Sequence, residues 1–198
     1  MDLVNKSNYK IILGSGSSRR RELLGMTGID FKVNSIPVDE SFPGSLKGAE
    51  ISEHIVKNKS EAFNELIKKN EIIITADTLV WFENECLGKP KDKEEARSML
   101  KLFAGKSHDV ITSVGFLTAG MFKILTESTT VTYKHLTEKE IDYYVETVNP
   151  VDKAGSYGIQ DWIGMIGVEY VNGSYTSVLG LPVPQVTNEI IKIINENL

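Results

Sequence analysis

Apolar positions follow two rhythms along this chain. The run "IIITADTLVWF", residues 72–82, is apolar almost without a break, which predicts a strand buried on both faces. Ile51, Ile55, Ala62, Phe63, Leu66 and Ile67 recur at helical spacing and predict one helix over 49–69. Shorter strands are predicted over 9–13 and 31–36, and a pair over 108–117 and 123–133 around Ala119–Gly120. A helix over 18–26 starts at Ser17 or Ser18, with Gly28 beyond its end. Asp92 and Glu95 form a capping box for a helix running to Phe103, and Thr137 and Glu140 cap another that stops before Pro150. The segment "DKAGSYGIQD" has no apolar period and reads as a loop. Asn172–Gly173 between two apolar stretches, 168–171 and 174–179, predicts a hairpin. A closing helix covers 185–195.

Strands and helices alternate, yet two hairpins break the alternation. The pattern predicts an α/β fold with a mixed sheet and flanking helices. No internal repeat or low-complexity linker divides the chain, so residues 1–198 are expected to form one domain, with any two lobes sharing the sheet.

Composition narrows the function classes. The chain has 198 residues, 41% hydrophobic and 25% charged, enough to bury a core without staples. Its formal net charge of −5 offers no basic surplus for a nucleic-acid polymer. A lone cysteine, Cys86, excludes an intramolecular disulfide and suits a reducing compartment. The opening "MDLVNKSNYK" is too polar for a secretory signal, and no apolar run is long enough to cross a membrane. A cytoplasmic protein is expected.

An acidic chain that binds phosphates must gather its cations locally. "GSGSSRRR", from Gly14 to Arg21, does so between a strand and a helix. Small residues let backbone N–H groups close on an anion, and arginine adds a planar fork. It lacks the Gly-Lys-Ser/Thr ending of a Walker loop and the third glycine of a dinucleotide fingerprint. A solvated basic turn is the alternative reading.

Lys59 falls near the middle of the apolar helical stripe. Burying an unpaired ammonium is costly, so it either snorkels to solvent or points into a polar cleft. Asp77 poses the opposite problem inside its apolar strand: a metal ligand or general base is one reading, an aspartate bonded to local backbone the other. Asp39 and Glu40 in "VDES" offer a second carboxylate. Two carboxylates plus substrate phosphates are a usual way to hold Mg²⁺. Lys89, fixed in an extended conformation by the proline after it, and Lys153 in "DKAG" are further cations. His54, His108 and His135 show no metal-ligand spacing, and Cys86 reads as a passive thiol.

Together these pieces resemble the Maf family of nucleoside triphosphate pyrophosphatases. "SGSSRRRELL", "VDES", "NKSEA", "ADTLV", "LGKPKDKEEARSMLKLFAGKSHDVITSV", "DKAGSYGIQ" and "GLP" occur in the family's order over nearly the whole chain. The resemblance implies a mixed-sheet α/β fold with a deep cleft between two lobes, similar to that of enzymes that clear inosine triphosphate. It implies hydrolysis between the α- and β-phosphates with Mg²⁺ or Mn²⁺, a nucleoside triphosphate partner, a house-cleaning role and a possible homodimer. It assigns Asp77 as proton acceptor and places Lys59 and Lys89 among the residues that line the cleft; with the carboxylate pair read above, Asp77 and Glu40 are the expected metal ligands and Lys59 and Lys89 the expected catalytic cations. Ser15, Arg20, Glu40 and Lys153 would line the cleft. Arg19, Thr78 and Gln160 match the markers of the dTTP/UTP branch. Gln160 suits a uracil edge, since its amide both donates and accepts. The chain departs from the family at Ser18, where proline is usual, near Val151, where tryptophan is, and at Asp161, where glycine is. Asp161 sets a negative charge beside the implied base-reading residue. The rival readings are a pyrophosphatase for purine or modified nucleotides, and a nucleotide-binding regulator of septum formation without turnover.

Overall fold

The computed structural model describes residues 1–196. In chain order the elements are α1 (Asp2–Asn5), β1 (Lys10–Leu13), α2 (Ser18–Gly25), β2 (Phe31–Val33), α3 (Ala49–Glu61) and β3 (Glu71–Phe82). β4 (Glu85–Leu87), α4 (Lys93–Phe103), β5 (Ser107–Leu117), β6 (Phe122–Tyr133) and α5 (Glu138–Val148) follow. A 3-10 turn (Ala154–Ser156), α6 (Trp162–Gly167), β7 (Val168–Asn172), α7 (Tyr175–Val178) and α8 (Val183–Glu196) complete it. One sheet carries the strands in the order β2-β1-β3-β5-β6-β7, with β4 paired to β3. β1 runs parallel to β2 and β3, and the other pairings are antiparallel. This is the expected mixed sheet with flanking helices.

β3, β5 and β6 are long enough to cross from one core cluster to another. On one face of β3, Ile72, Ile74 and Ala76 belong to a cluster with Leu13, Val114 and α8. Farther along the same face, Val80 and Phe82 join a second cluster with Phe103, Val110 and Tyr144. The opposite face packs on α3 and repeats the scheme, with Ile73 beside Phe63 and Leu117, and Leu79 beside Ile51 and Ile55. Side chains alternate between faces along a strand. Thr78 therefore fills the gap between clusters on one face, and Thr75 and Asp77 fill it on the other. Polar residues interrupt the strand where both faces change apolar partners.

Polar pairs hold α3 to the sheet across that gap. Ser60 Oγ lies 2.7 Å from Thr75 Oγ1, and Ser52 Oγ 2.7 Å from Ser113 Oγ, all four residues buried. Gly115 sits opposite Thr75 in the β3–β5 register, and a Cβ there would stand 2.7 Å from Ser60 Oγ and Val56 Cγ1. Only glycine lets the helix come this close.

Several boundaries differ from the sequence expectation. α3 ends at Glu61 instead of running to residue 69. Phe63 leaves helical geometry to bury against Ile73 and Leu117, and Leu66, counted in the apolar stripe, is exposed. The hairpin at Asn172–Gly173 does not form, because β7 pairs with β6 and the predicted second strand is the helical turn α7. Ser174 caps that turn by accepting from Ser177 N, and Thr112 Oγ1 donates to the Ser177 carbonyl. α1, β4 and α6 lie outside the predicted elements, and β2 is shorter than expected. At α4, Asp92 caps Glu95 N, but the Glu95 carboxylate accepts from Lys91 N, so the capping box is half formed; at α5 it is complete.

His108 gives the second core cluster a pH dependence. It is buried, stacks on Phe103 with ring centroids 4.1 Å apart, and its Nε2 lies 2.6 Å from Tyr157 Oη. Burial pushes its pKa down to about 4. An unfolded chain then takes up this proton first, so the stability it supports is full above pH 6.5 and lost as pH falls toward 4, a swing of about 3 kcal/mol. Urea unfolding of His108→Gln, compared with the parent between pH 7 and 4, should lack that component. Parallel curves would show that His108 does not supply it.

Candidate functional site

A cleft of about 610 Å³ opens over the polar break in the sheet. Asp77 lies at its floor, buried, with its Oδ1 2.9 Å from Lys59 Nζ. Lys59 projects from the last turn of α3, where the helix faces β3. The same ammonium reaches Glu40 Oε1 at 2.9 Å, so two carboxylates share one cation. Lys59 does not snorkel out to bulk solvent; its side chain is 14% exposed and its head is held between the two acids. Burial acts to raise the Glu40 carboxyl, but Lys59, and more weakly Lys89 and Arg20, outweigh it and leave its pKa below the usual carboxylate range.

Arg20 enters from α2. Ser17 caps that helix by accepting from Arg20 N, so the first turn is set by the loop itself. The guanidinium then divides its donors among its own preceding loop and two distant segments. Nε donates to the Gly180 carbonyl at 2.9 Å, Nη1 to Ser15 Oγ at 3.3 Å and Nη2 to Thr78 Oγ1 at 3.1 Å. Thr78 is steadied in turn by Thr112 Oγ1 at 2.9 Å, its partner across the β3–β5 ladder. Burial lowers the Arg20 pKa, and Asp77 and Glu40 oppose that shift. The fork is thus fixed in place with N–H groups to spare, as an anion site needs.

Nine of the ten site residues expected from the sequence line this one cleft: Arg19, Arg20, Glu40, Lys59, Asp77, Thr78, Lys89, Lys153 and Gln160. Ser15 stands behind Arg20 as its acceptor and is buried. Arg19 is drawn toward Glu22, 3.0 Å away. Lys89 is exposed at the lining, and Lys153 reaches Asp152 Oδ1 at 3.0 Å. Asp152, Tyr157 and Gly180 also line the cleft and escaped the sequence reading. Each left a trace only inside a quoted motif, Asp152 and Tyr157 in "DKAGSYGIQ" and Gly180 in "GLP". Cys86 lines the cleft too, its thiol pKa pushed up by burial and by the charge of Asp77, in keeping with a passive thiol.

The metal expectation meets a sparse donor set. Among the described residues, no group of three or more histidine, cysteine or acidic side chains could hold an ion. The third acid of the lining, Asp152, is paired with Lys153, while Asp77 and Glu40 meet through Lys59. Such a pair suits a hard cation that takes its other ligands from substrate phosphates and water.

The profile of the Maf-like protein family matches residues 10–193. The chain belongs to the Maf family. A relative from Bacteroides thetaiotaomicron, named dTTP/UTP pyrophosphatase, is 44% identical over 192 residues, covering 96% of this Maf chain and 100% of its own. One of the same name from Christiangramia forsetii is 47% identical over 191 residues, covering 96% and 95%. Among solved structures, the Staphylococcus aureus Ham1 protein overlaps 63% of this Maf chain and 71% of its own, with a TM-score of 0.45 and 14% identity. No helix among the described residues of this Maf chain is long and apolar enough to cross a membrane.

Proposed function

We propose that this Maf-family chain is a nucleoside triphosphate pyrophosphatase acting on dTTP and UTP, cutting between the α- and β-phosphates to release the monophosphate and pyrophosphate. The observation that carries this reading is the meeting of a buried carboxylate, Asp77, with Arg20, Lys59 and Lys89 in one cleft. The names of its relatives support it. A cytoplasmic location fits that substrate pool and the lone Cys86.

The triphosphate tail lies over the loop before α2, where Arg20 and the helix N-terminus meet negative charge. A water oxygen bonds to the α-phosphorus while the bond from that phosphorus to the bridging oxygen breaks. The proton of the water passes to Asp77, and Lys59, Lys89 and Arg20 offset the charge gathering on the departing pyrophosphate. Asp77 and Glu40, with substrate phosphate oxygens, would hold a Mg²⁺ or Mn²⁺ ion, which supplies further charge neutralisation. Gln160 turns its amide toward the base.

A panel of UTP, dTTP, CTP, ATP, GTP, inosine triphosphate and 7-methyl-GTP, assayed with Mg²⁺ or Mn²⁺ for pyrophosphate and monophosphate, tests the reading. UTP and dTTP should be turned over best, with pyrophosphate as the inorganic product. Preference for a purine would overturn the base assignment. Binding of UTP without product under either metal would reduce the chain to a nucleotide-binding protein.

A further inference from the structure

Asp161 occupies the N-cap position of α6, where an aspartate ordinarily accepts from the first-turn amides. It makes no such bond. Its carboxylate is turned the other way. Oδ1 accepts from Gln160 Nε2 at 3.1 Å, and Oδ2 accepts from Tyr144 Oη at 2.8 Å. Tyr144 is itself buried and its oxygen also accepts from Gly158 N at 3.3 Å. Lys153 Nζ stands 3.9 Å from Oδ2. Gly158 leaves room for the arrangement: a Cβ there would lie 2.6 Å from Gln160 Nε2 and 2.7 Å from Asp161 Oδ2. Gln160 lines the cleft and Asp161 does not. The acid therefore sits behind the amide, tied at both oxygens.

An ionised carboxylate only accepts hydrogen bonds, whereas a primary amide carries a donor end and an acceptor end. With Asp161 behind it, the nitrogen of Gln160 must face the carboxylate. Turning the amide over would set Oε1 against Oδ1, two acceptors with no proton between them. One amide N–H is thus taken, and Oε1 with the second N–H is left for the cleft in a fixed order.

We propose that Asp161 is a positioning residue that fixes the amide orientation of Gln160 and thereby makes the site selective for a pyrimidine with a protonated N3 beside a carbonyl, against one with an unprotonated N3 beside an amino group. This rests on the proposed function, in which Gln160 faces the base. The imide edge of uracil or thymine presents a donor to Oε1 and an acceptor to the amide N–H. Cytosine presents the reverse and needs the orientation that Asp161 forbids. A wrong pairing that leaves buried polar groups unmatched is a strong source of discrimination.

The test is the ratio of kcat/KM for UTP to that for CTP in the parent and in Asp161→Asn. Asparagine keeps the shape but both donates and accepts, so either orientation of Gln160 is tolerated. The ratio should fall by about tenfold or more, chiefly through a lower KM for CTP. Loss of a negative charge behind the cleft wall touches both nucleotides alike and leaves the ratio alone. Tyr144→Phe, which frees the other carboxylate oxygen, should lower the ratio by a smaller factor and serves if the first variant folds poorly. A parent that prefers UTP while both variants keep its ratio overturns this inference and leaves the proposed function standing. A parent that does not distinguish UTP from CTP removes the base-reading role of Gln160, and this inference with it.

Discussion

Asp77→Asn should release pyrophosphate from UTP about 10²- to 10⁴-fold more slowly than the parent, the range lost when a positioned proton acceptor is removed. The substitution is nearly isosteric, and its amide oxygen still accepts from Lys59, which keeps Glu40 as a second partner at 2.9 Å. The fold should therefore persist, with a thermal midpoint close to that of the parent. The two kinetic constants should part company. The variant loses a negative charge from a cleft that receives a polyanion and one oxygen offered to the metal, two opposed effects on binding, so at saturating metal KM for UTP should change little while kcat collapses. That split separates a chemical role from a binding one. Near-normal pyrophosphate release would take Asp77 out of the mechanism. A rise in KM with kcat preserved would make it a binding residue only.

The cleft was legible in the sequence as a set of residues in the wrong company. Asp77 interrupts an apolar strand, and Lys59 interrupts an apolar helical stripe. The structure brings the two together at 2.9 Å because α3 lies on the face of β3 that carries Asp77. Each violation of the pattern is the other's explanation, which is where local rules are expected to fail in a functional protein. The mixed sheet was readable for a related reason: β3 kept its apolar run, and the hairpin of β5 and β6 broke the alternation of strands and helices that a purely parallel sheet would show.

What could not be read was set by contacts far along the chain. Arg20 donates to Gly180, separated from it by 160 positions, and no spacing rule reaches that far. α7 has strand-like composition but follows a serine cap and a carbonyl claimed by Thr112. α6 was hidden by Gly164 and Gly167, residues that weaken a helical pattern. At Gly164 a Cβ would stand 2.3 Å from the Ile159 carbonyl oxygen, so glycine there serves packing. Asp161 was visible only as a charge beside Gln160; its hold on the amide needs Tyr144 and Gly158, which arrive from another helix and a loop.

Arg20→Lys should lower kcat/KM for UTP by about 10²- to 10³-fold, although the positive charge is kept. Three planar donors now serve three acceptors in three segments: the Gly180 carbonyl, Ser15 Oγ and Thr78 Oγ1. A lysine ammonium is a single point on a flexible stem and cannot meet three such partners while also facing a phosphate. The loop before α2, the middle of β3 and the turn after α7 would lose their common tie, and the phosphate site would lose its fixed geometry. Ser15 Oγ keeps the Ser17 amide as a donor and Thr78 keeps Thr112, so the loss falls chiefly on the Gly180 carbonyl and should cost about 1 to 3 kcal/mol of stability, visible as a lower urea midpoint. If charge alone mattered, the lysine variant would turn over UTP within a few-fold of the parent while still showing that loss of stability. Arg20 would then be a strut between segments, and the phosphate contact would have to be reassigned to Lys59 and Lys89. A tenfold or greater gap between the lysine variant and the parent, measured where both are fully folded, instead ties the rate to the shape of the guanidinium.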